Sequence, residues 1–361
     1  MSNWPDTRVI ELFGVDLPIL QGPMAGISTP HMAIAVSQAG GLGSLACSQL
    51  SVEQARRDLA TIRQATRRPI NMNFFCHRPP VADAAQLAAW RAMLAPYYRE
   101  LGLDPEAPIP QASRVPFDDD FCALVEETKP EVVSFHFGLP ARALLDRVKA
   151  TGAKVIASAT TVAEALWLER HGCDAVIAMG LEAGGHRGNF LSDDMARQVG
   201  TFALVPQVVD AVKVPVIAAG GIADARGIVA AFALGAAGVQ IGTAYMLSPE
   251  AKTSAVHRQA LRSADDDDTI ITNLFTGRPA RGIVNRLMRD LGALSPAAPG
   301  FPLAAGALAP LKAKAEQAGS SDFTNLWAGQ AARLAREMPA GDLTHHLGAE
   351  ALALLARMAD S

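Results

Sequence analysis

Two histidines stand where short apolar runs give way to small residues: His186 in "GLEAGGHRGNF" and His136 in "VVSFHFG". Imidazole changes charge near neutral pH, so a histidine held against a carbon acid suits proton abstraction. The glycines around His186 remove bulk and let the backbone come close to a ligand. For His136, a ligand-binding hydrogen bond is as good a reading as a catalytic one. The remaining six of the eight histidines, such as His31, His171, His345 and His346, fall on helical stretches or near the C-terminal end and read as structural or solvated.

A second group of residues suits an anion and a flat ring. "AAGGIADARG" and "VQIGTAY" each follow an apolar run, and Gly220, Gly221, Gly242 and Thr243 offer backbone N–H groups with little side chain in the way. That arrangement suits a phosphate. "QGPMAGIS" places Pro23 and Met24, and "NMNFF" places Asn73, at the ends of two further runs. Backbone and amide groups there suit the edge of a heteroaromatic ring. A phosphate beside a planar ring points to flavin mononucleotide, FMN.

The elements that must carry these residues are eight short, continuous apolar runs. They span 18–24, 40–46, 69–75, 132–138, 154–160, 175–181, 214–221 and 238–245, with amphipathic helical stretches between most of them. Unbroken apolar runs mark strands buried on both faces of a parallel sheet. Eight strands alternating with helices make a (β/α)8 TIM barrel the economical α/β fold. A doubly wound open sheet is the alternative. The spacing breaks twice, after the third run and after the eighth. Residues 1–75 and 128–255 are therefore assigned to the barrel, and 76–127 and 256–361 to a helical insert and C-terminal extension forming a cap over its mouth.

Composition narrows the partners. The 361 residues are half hydrophobic and carry a formal net charge of -4 without a basic cluster, which excludes nucleic acid or an anionic membrane as the main partner. Residues 227–247 are uncharged, yet hold Gln240 and several glycines, and read as a buried helix running into a buried strand rather than a membrane span. The N-terminal stretch lacks the basic region and apolar core of a secretory signal. Four scattered cysteines show no metal spacing and read as reduced thiols of a cytoplasmic protein, with Cys47 and Cys76 near strand ends. The acidic run Asp265 to Asp268 reads as a solvated edge, so no metal is expected. "GLGSLA" fits a dinucleotide fingerprint, but a helix precedes it and a strand follows, the reverse of what that motif requires.

At these residues the sequence resembles the nitronate monooxygenases, through "QGPMAG", "GGLGSLA", "NMNFF", "SFHFG", "GLEAGGHRG", "AAGGIAD", "QIGT" and "RPARG". The resemblance covers nearly the whole chain, and "EAGGHRG" with "PARG" is its most specific part. It implies noncovalent FMN and oxidation of a nitronate, such as propionate 3-nitronate, by one-electron transfer to flavin and then by dioxygen, giving a carbonyl product and nitrite. It implies His186 as the catalytic histidine, and Asn73, Gly184, Gly221 and Gln240 to Thr243 as FMN contacts with Met24 on the ring. Met179 stands where the family often has glutamine, and a thioether replaces neither the donor nor the acceptor of an amide. Arg187 either favours a carboxylated substrate or pairs structurally with a nearby acid. Two rivals remain: an NAD(P)H-dependent reductase of the enoyl-acyl-carrier-protein type, which shares "EAGGH", and a noncatalytic flavin-binding barrel. The oligomeric state is left open.

Overall fold

The computed structural model describes residues 3–110 and 114–360. Eight parallel strands form its centre: β1 (Ile19–Gln21), β2 (Gly43–Ala46), β3 (Ile70–Phe75), β4 (Val132–His136), β5 (Lys154–Ala159), β6 (Ala175–Met179), β8 (Val216–Ala219) and β9 (Gly238–Ile241). The remaining strands are β7 (Gly185–His186), β10 (Thr269–Thr272) and β11 (Ala280–Ile283). The eight-stranded sheet runs β1-β9-β8-β6-β5-β4-β3-β2. Its two ends meet, because Leu42 donates to Ile19 (2.9 Å) and accepts from Gln21 (3.0 Å) beside a Leu20–Leu42 bridge. The sheet is therefore a closed TIM-type barrel. Each of the eight expected runs holds one of its strands.

Helices begin where side chains cap them. α2 (Pro30–Gln38) starts behind Thr29 with Pro30 in its first turn, α3 (Val52–Ala65) behind Ser51, and α7 (Val162–Arg170) behind Thr161. α9 (Ala225–Ala233) starts behind Asp224 and leads into β9, so residues 227–247 are a buried helix and strand. Among the described residues no helix is long and apolar enough to cross a membrane. "GLGSLA" leads into β2, and Gly43 sits where α2 presses on the sheet: a Cβ there would lie 2.2 Å from the Ala33 carbonyl oxygen. Close helix packing, not a nucleotide, accounts for that glycine.

The insert and the extension share a second apolar core. α4 (Ala84–Glu100) brings Trp90, Leu94 and Tyr98 against Leu308 and Leu311 of α12 (Ala304–Gln317). The Trp90 indole N–H donates to the Ala304 carbonyl (3.2 Å) and the Tyr98 hydroxyl to that of Ala307 (2.6 Å). Assigning all of 256–361 to a cap is too broad, however. α13 (Ala340–Ala359) packs on α2 and α9, with Leu343 and Leu347 in the barrel's own core. Its apolar face thus packs on the outside of the barrel against both helices.

A three-stranded antiparallel sheet, β10-β11-β7, is the feature absent from the sequence reading. It places His186 on a strand rather than in the expected loop. The prediction from this packing is that Gly43→Ala, which forces backbone against backbone, costs about 3 kcal/mol, the upper end of overpacking. Urea unfolding of the two proteins measures it, and an unchanged midpoint would show that α2 yields freely.

Candidate active site

His186 is held from three sides. Ala280 pairs with His186 and Arg281 with Gly185 across β7 and β11, and the Arg187 N–H donates to the Pro279 carbonyl (2.9 Å). The His186 ring stands among aromatic rings, with centroids 5.2 Å from Phe301, 5.5 Å from Trp327 and 6.2 Å from Phe75. Its Nε2 lies 2.9 Å from the Thr276 hydroxyl, which is itself within 3.4 Å of the Arg278 carbonyl. A hydroxyl that donates to that carbonyl accepts from Nε2–H, which leaves the lone pair on Nδ1. Nδ1 has no hydrogen-bond partner among the described residues, and the ring lines the main cavity at the barrel mouth.

His136 is engaged at both nitrogens. Nε2 lies 3.2 Å from the His186 carbonyl oxygen, which can only accept, so Nδ1 accepts from the Ser158 hydroxyl at 2.5 Å. Both nitrogens of His136 therefore have protein partners, in contrast to the free Nδ1 of His186. The His136 ring fixes the His186 backbone. Gly188 follows from the same contact, since a Cβ there would lie 2.9 Å from His136 Cε1.

Both rings lose proton affinity. Burial, followed by the charge of Arg278, pushes His136 down to about 3. Burial, followed by Arg114, holds His186 well below its ordinary 6.5. His77, which donates from Nε2 to the Arg114 carbonyl (3.1 Å), is pushed down to about 4, again first by burial. All three are neutral at pH 7, and a neutral imidazole is the form that accepts a proton.

The other expected residues come to one place. Pro23, Met24 and Asn73 line the same cavity as the two histidines, on the side where β1 and β3 end. Met179 and Gly184 border it after β6, with Gly220 and Gly221 after β8. Gln240, Gly242 and Thr243 complete it at the end of β9. Several features fit a phosphate-bearing ring compound. The Gln240 side-chain oxygen is buried without a partner, an acceptor that awaits a donor. The Thr243 hydroxyl accepts from the Gly329 N–H (2.9 Å), which leaves its own proton to donate. A Cβ on Gly242 would meet only the Met24 sulfur, at 3.9 Å, so the missing side chain leaves open space.

A family model described as nitronate monooxygenase matches residues 6–350. A nitronate monooxygenase of Pseudomonas aeruginosa is 42% identical over 94% of this chain and 97% of its own. One from Paraburkholderia phytofirmans is 42% identical over 95% of this chain and 94% of its own. The solved structure of a nitroalkane oxidase from Streptomyces ansochromogenes superposes with a TM-score of 0.88 at 38% identity, over 98% of this chain and all of that one. The chain belongs to the nitronate monooxygenase family. It is an enzyme, an oxidoreductase.

Within this nitronate monooxygenase fold, Arg187 corrects a further expectation. It is fully buried and spends its guanidinium on the carbonyls of Gly180 (2.7 Å) and Met179 (3.0 Å) and on the Gln198 amide oxygen (2.9 Å). It neither faces a substrate nor pairs with an acid; it ties the end of β6 to the segment after His186. Sequence reasoning passed over Glu164, whose buried carboxylate accepts from the Thr160 N–H (2.7 Å) and the Phe190 N–H (2.6 Å) and so fixes the loop that follows. It also passed over Arg114 and His77 in the insert, and over Phe301 and Trp327 in the extension. No pattern marked them, because they reach the site from elements far away in sequence. Cys76 is not part of the cavity wall, and all four cysteines are free with thiol pKa values raised by burial.

The buried rings generate a pH dependence of stability. An unfolded chain takes up protons on these histidines as pH falls through 6.5, whereas the native rings stay neutral to about 4 for His77 and about 3 for His136. The unfolded state then binds more protons, so stability is lost as pH drops below 6.5. Urea midpoints taken between about pH 7 and pH 5, where histidine is the side chain that titrates, are expected to fall steadily. Level midpoints would mean that the native rings protonate.

Proposed function

We propose that this chain is an FMN-dependent nitronate monooxygenase acting on alkyl nitronates such as propionate 3-nitronate, and on the parent nitroalkanes, with dioxygen as co-substrate and a carbonyl compound and nitrite as products. The observation that carries the reading is the facing of two features across one cavity. One is a neutral His186 with a free Nδ1, and the other is the glycine-lined floor with the unpartnered Gln240 oxygen. The family membership and the likeness to a nitroalkane oxidase support it.

FMN, when bound, supplies the electron acceptor for the nitronate and the means of engaging dioxygen. Gly220, Gly221, Gly242 and Thr243 would hold its phosphate, and Pro23, Met24, Asn73, Met179, Gly184 and Gln240 would surround the ring. The chain's own chemistry lies at His186. A nitronate is already an anion and needs no base. A neutral nitroalkane must first lose its α-proton, which His186 Nδ1 accepts. The aromatic rings around it exclude water, and Thr276 and His136 keep the imidazole in one tautomer and place. The cytoplasm, where thiols stay reduced, is the proposed location, consistent with four free cysteines.

Two measurements test this reading. Purified protein loaded with FMN is expected to consume oxygen and release nitrite with propionate 3-nitronate, and to leave its flavin colour unchanged when mixed anaerobically with NADH. Bleaching by NADH without nitronate turnover would move the assignment to the reductase. His186→Asn should retain FMN and nitronate oxidation while nitroalkane turnover falls by about 100-fold or more, the usual scale of general-base loss. Because His186 holds its proton more weakly than an ordinary histidine, wild-type nitroalkane turnover should persist as pH falls past 6.5 and decline only well below it. A decline centred at 6.5 would assign the base elsewhere.

A further inference from the structure

Four guanidinium groups surround the His186 segment, and acids influence three of them. Arg187 and Arg281 lie in the field of Glu182, and Arg278 in that of Asp193 and Glu164. Arg278 also donates to the Asn189 carbonyl, and its Cζ stands 4.0 Å above the Phe137 ring. Arg114 differs. It reaches the cavity from the insert after β3, and no carboxylate among the described residues pairs with it. Its contacts are uncharged: the Gln49 amide oxygen, turned toward it, accepts from Nη2 (2.6 Å) and Nη1 (3.3 Å), and Phe301 lies 5.6 Å from Cζ, while Lys312, which lies in its field, is a second cation rather than a counter-charge. Burial alone pulls its pKa down to about 10.

A cation taken from water without a counter-charge is costly, and the cost is offset when an anion arrives. This cation belongs to the same cavity as the proposed reacting position, since its charge is the largest influence on His186 after burial. The aromatic ring that Arg114 overlies, Phe301, also packs against His186. A substrate with its reacting carbon at His186 and a short acidic tail would therefore present that tail to the guanidinium. Two parallel N–H groups suit a carboxylate, in the planar fork that arginine provides.

We propose that Arg114 is the specificity-determining residue of this cavity, pairing with the carboxylate of an anionic substrate and so favouring carboxylated nitronates over those with a plain alkyl chain. The proposal rests on the nitronate-oxidising reading of the site and adds to it the group that selects among nitronates. Arg187, the arginine next to the histidine in sequence, is spent on carbonyls, and Arg114 takes the role that its position suggested.

The test compares FMN-loaded wild type, Arg114→Gln and Arg114→Lys with propionate 3-nitronate and ethyl nitronate. For Arg114→Gln, KM for propionate 3-nitronate should rise on the order of 30-fold or more, the scale for removing one partner of a buried charge pair. KM for ethyl nitronate, which lacks the carboxylate, should rise at least about tenfold less, and Arg114→Lys should recover only part of the loss, since it keeps the point charge and loses the planar fork. Equal losses on both substrates would overturn the assignment, because Arg114 would then serve the nitronate group or the fold. Loss of bound FMN in Arg114→Gln would overturn it in favour of a cofactor contact, and unchanged kinetics would overturn it outright. Calorimetric titration with 3-nitropropionate and with 1-nitropropane, without oxygen, reads the same discrimination from binding. If wild type oxidises neither nitronate, the functional reading fails, and this binding comparison alone decides whether Arg114 recognises the carboxylate.

Discussion

The site depends on one short pairing, the two-residue strand β7 against β11. It brings residues 280 and 281, from beyond the barrel, alongside residues 185 and 186, which follow its sixth strand. Everything that defines His186 follows from that contact. The Thr276 hydroxyl that sets the tautomer lies just before β11, and the Pro279 carbonyl anchors the next backbone N–H. Arg281 reaches back to the Leu181 carbonyl (3.0 Å) and to that of Thr269 (3.0 Å), binding the strap to both neighbours. A loop histidine would sample many positions, whereas one on a paired strand has a single direction. The motif "RPARG" is thus explained by what it holds, not by contact with a ligand.

The second constraint is electrostatic. Three histidines and several arginines share a region closed off by Phe75, Phe137, Phe301 and Trp327. In such a medium like charges repel strongly and burial penalises each ion. The arginines cannot shed their protons, so the histidines do. Neutral imidazole is imposed first by burial and then by the neighbouring charges, and the unpaired positive charge of Arg114 favours an anionic guest. The same arrangement yields an unprotonated base and an attraction for nitronates, so the two requirements of the proposed reaction do not compete.

Much of this was legible in the sequence. The eight barrel strands were, because a strand buried on both faces is a run of apolar residues whatever its neighbours. The glycines were legible too, since each marks a backbone that must come close to something, and His186 stood out against them. Orientation was not. Nothing in "HRG" distinguishes an arginine pointing into the cavity from one turned back to donate to the carbonyls of residues 179 and 180, as Arg187 does. Nor does "SFHFG" reveal that Ser158 and the His186 carbonyl occupy both nitrogens of His136. A two-residue strand carries no periodicity, so β7 was invisible. α13 read as part of an extension because its partners, α2 and α9, lie more than 100 residues away.

The two kinds of element contribute different things to the cavity. The ends of the barrel strands supply glycines and short polar side chains at the floor, where a Cβ or a longer side chain would intrude. The insert and the extension add Phe301, Trp327 and the guanidinium of Arg114 to Phe75 and Phe137, which come from the ends of β3 and β4. The floor is tied to barrel closure: Gly22, at its edge, donates to the Ile241 carbonyl (2.7 Å), and Gly180, bordering Met179, donates to that of Ala219 (2.9 Å). Altering the floor would disturb the sheet. Trp327 packs against the separate core around Trp90 and Leu308, whereas Phe301 packs against Phe75 and Phe137. In a fold arranged in this way the strand ends form the cradle and the loops and additions around it are free to carry the selecting groups, the division on which the proposal for Arg114 rests.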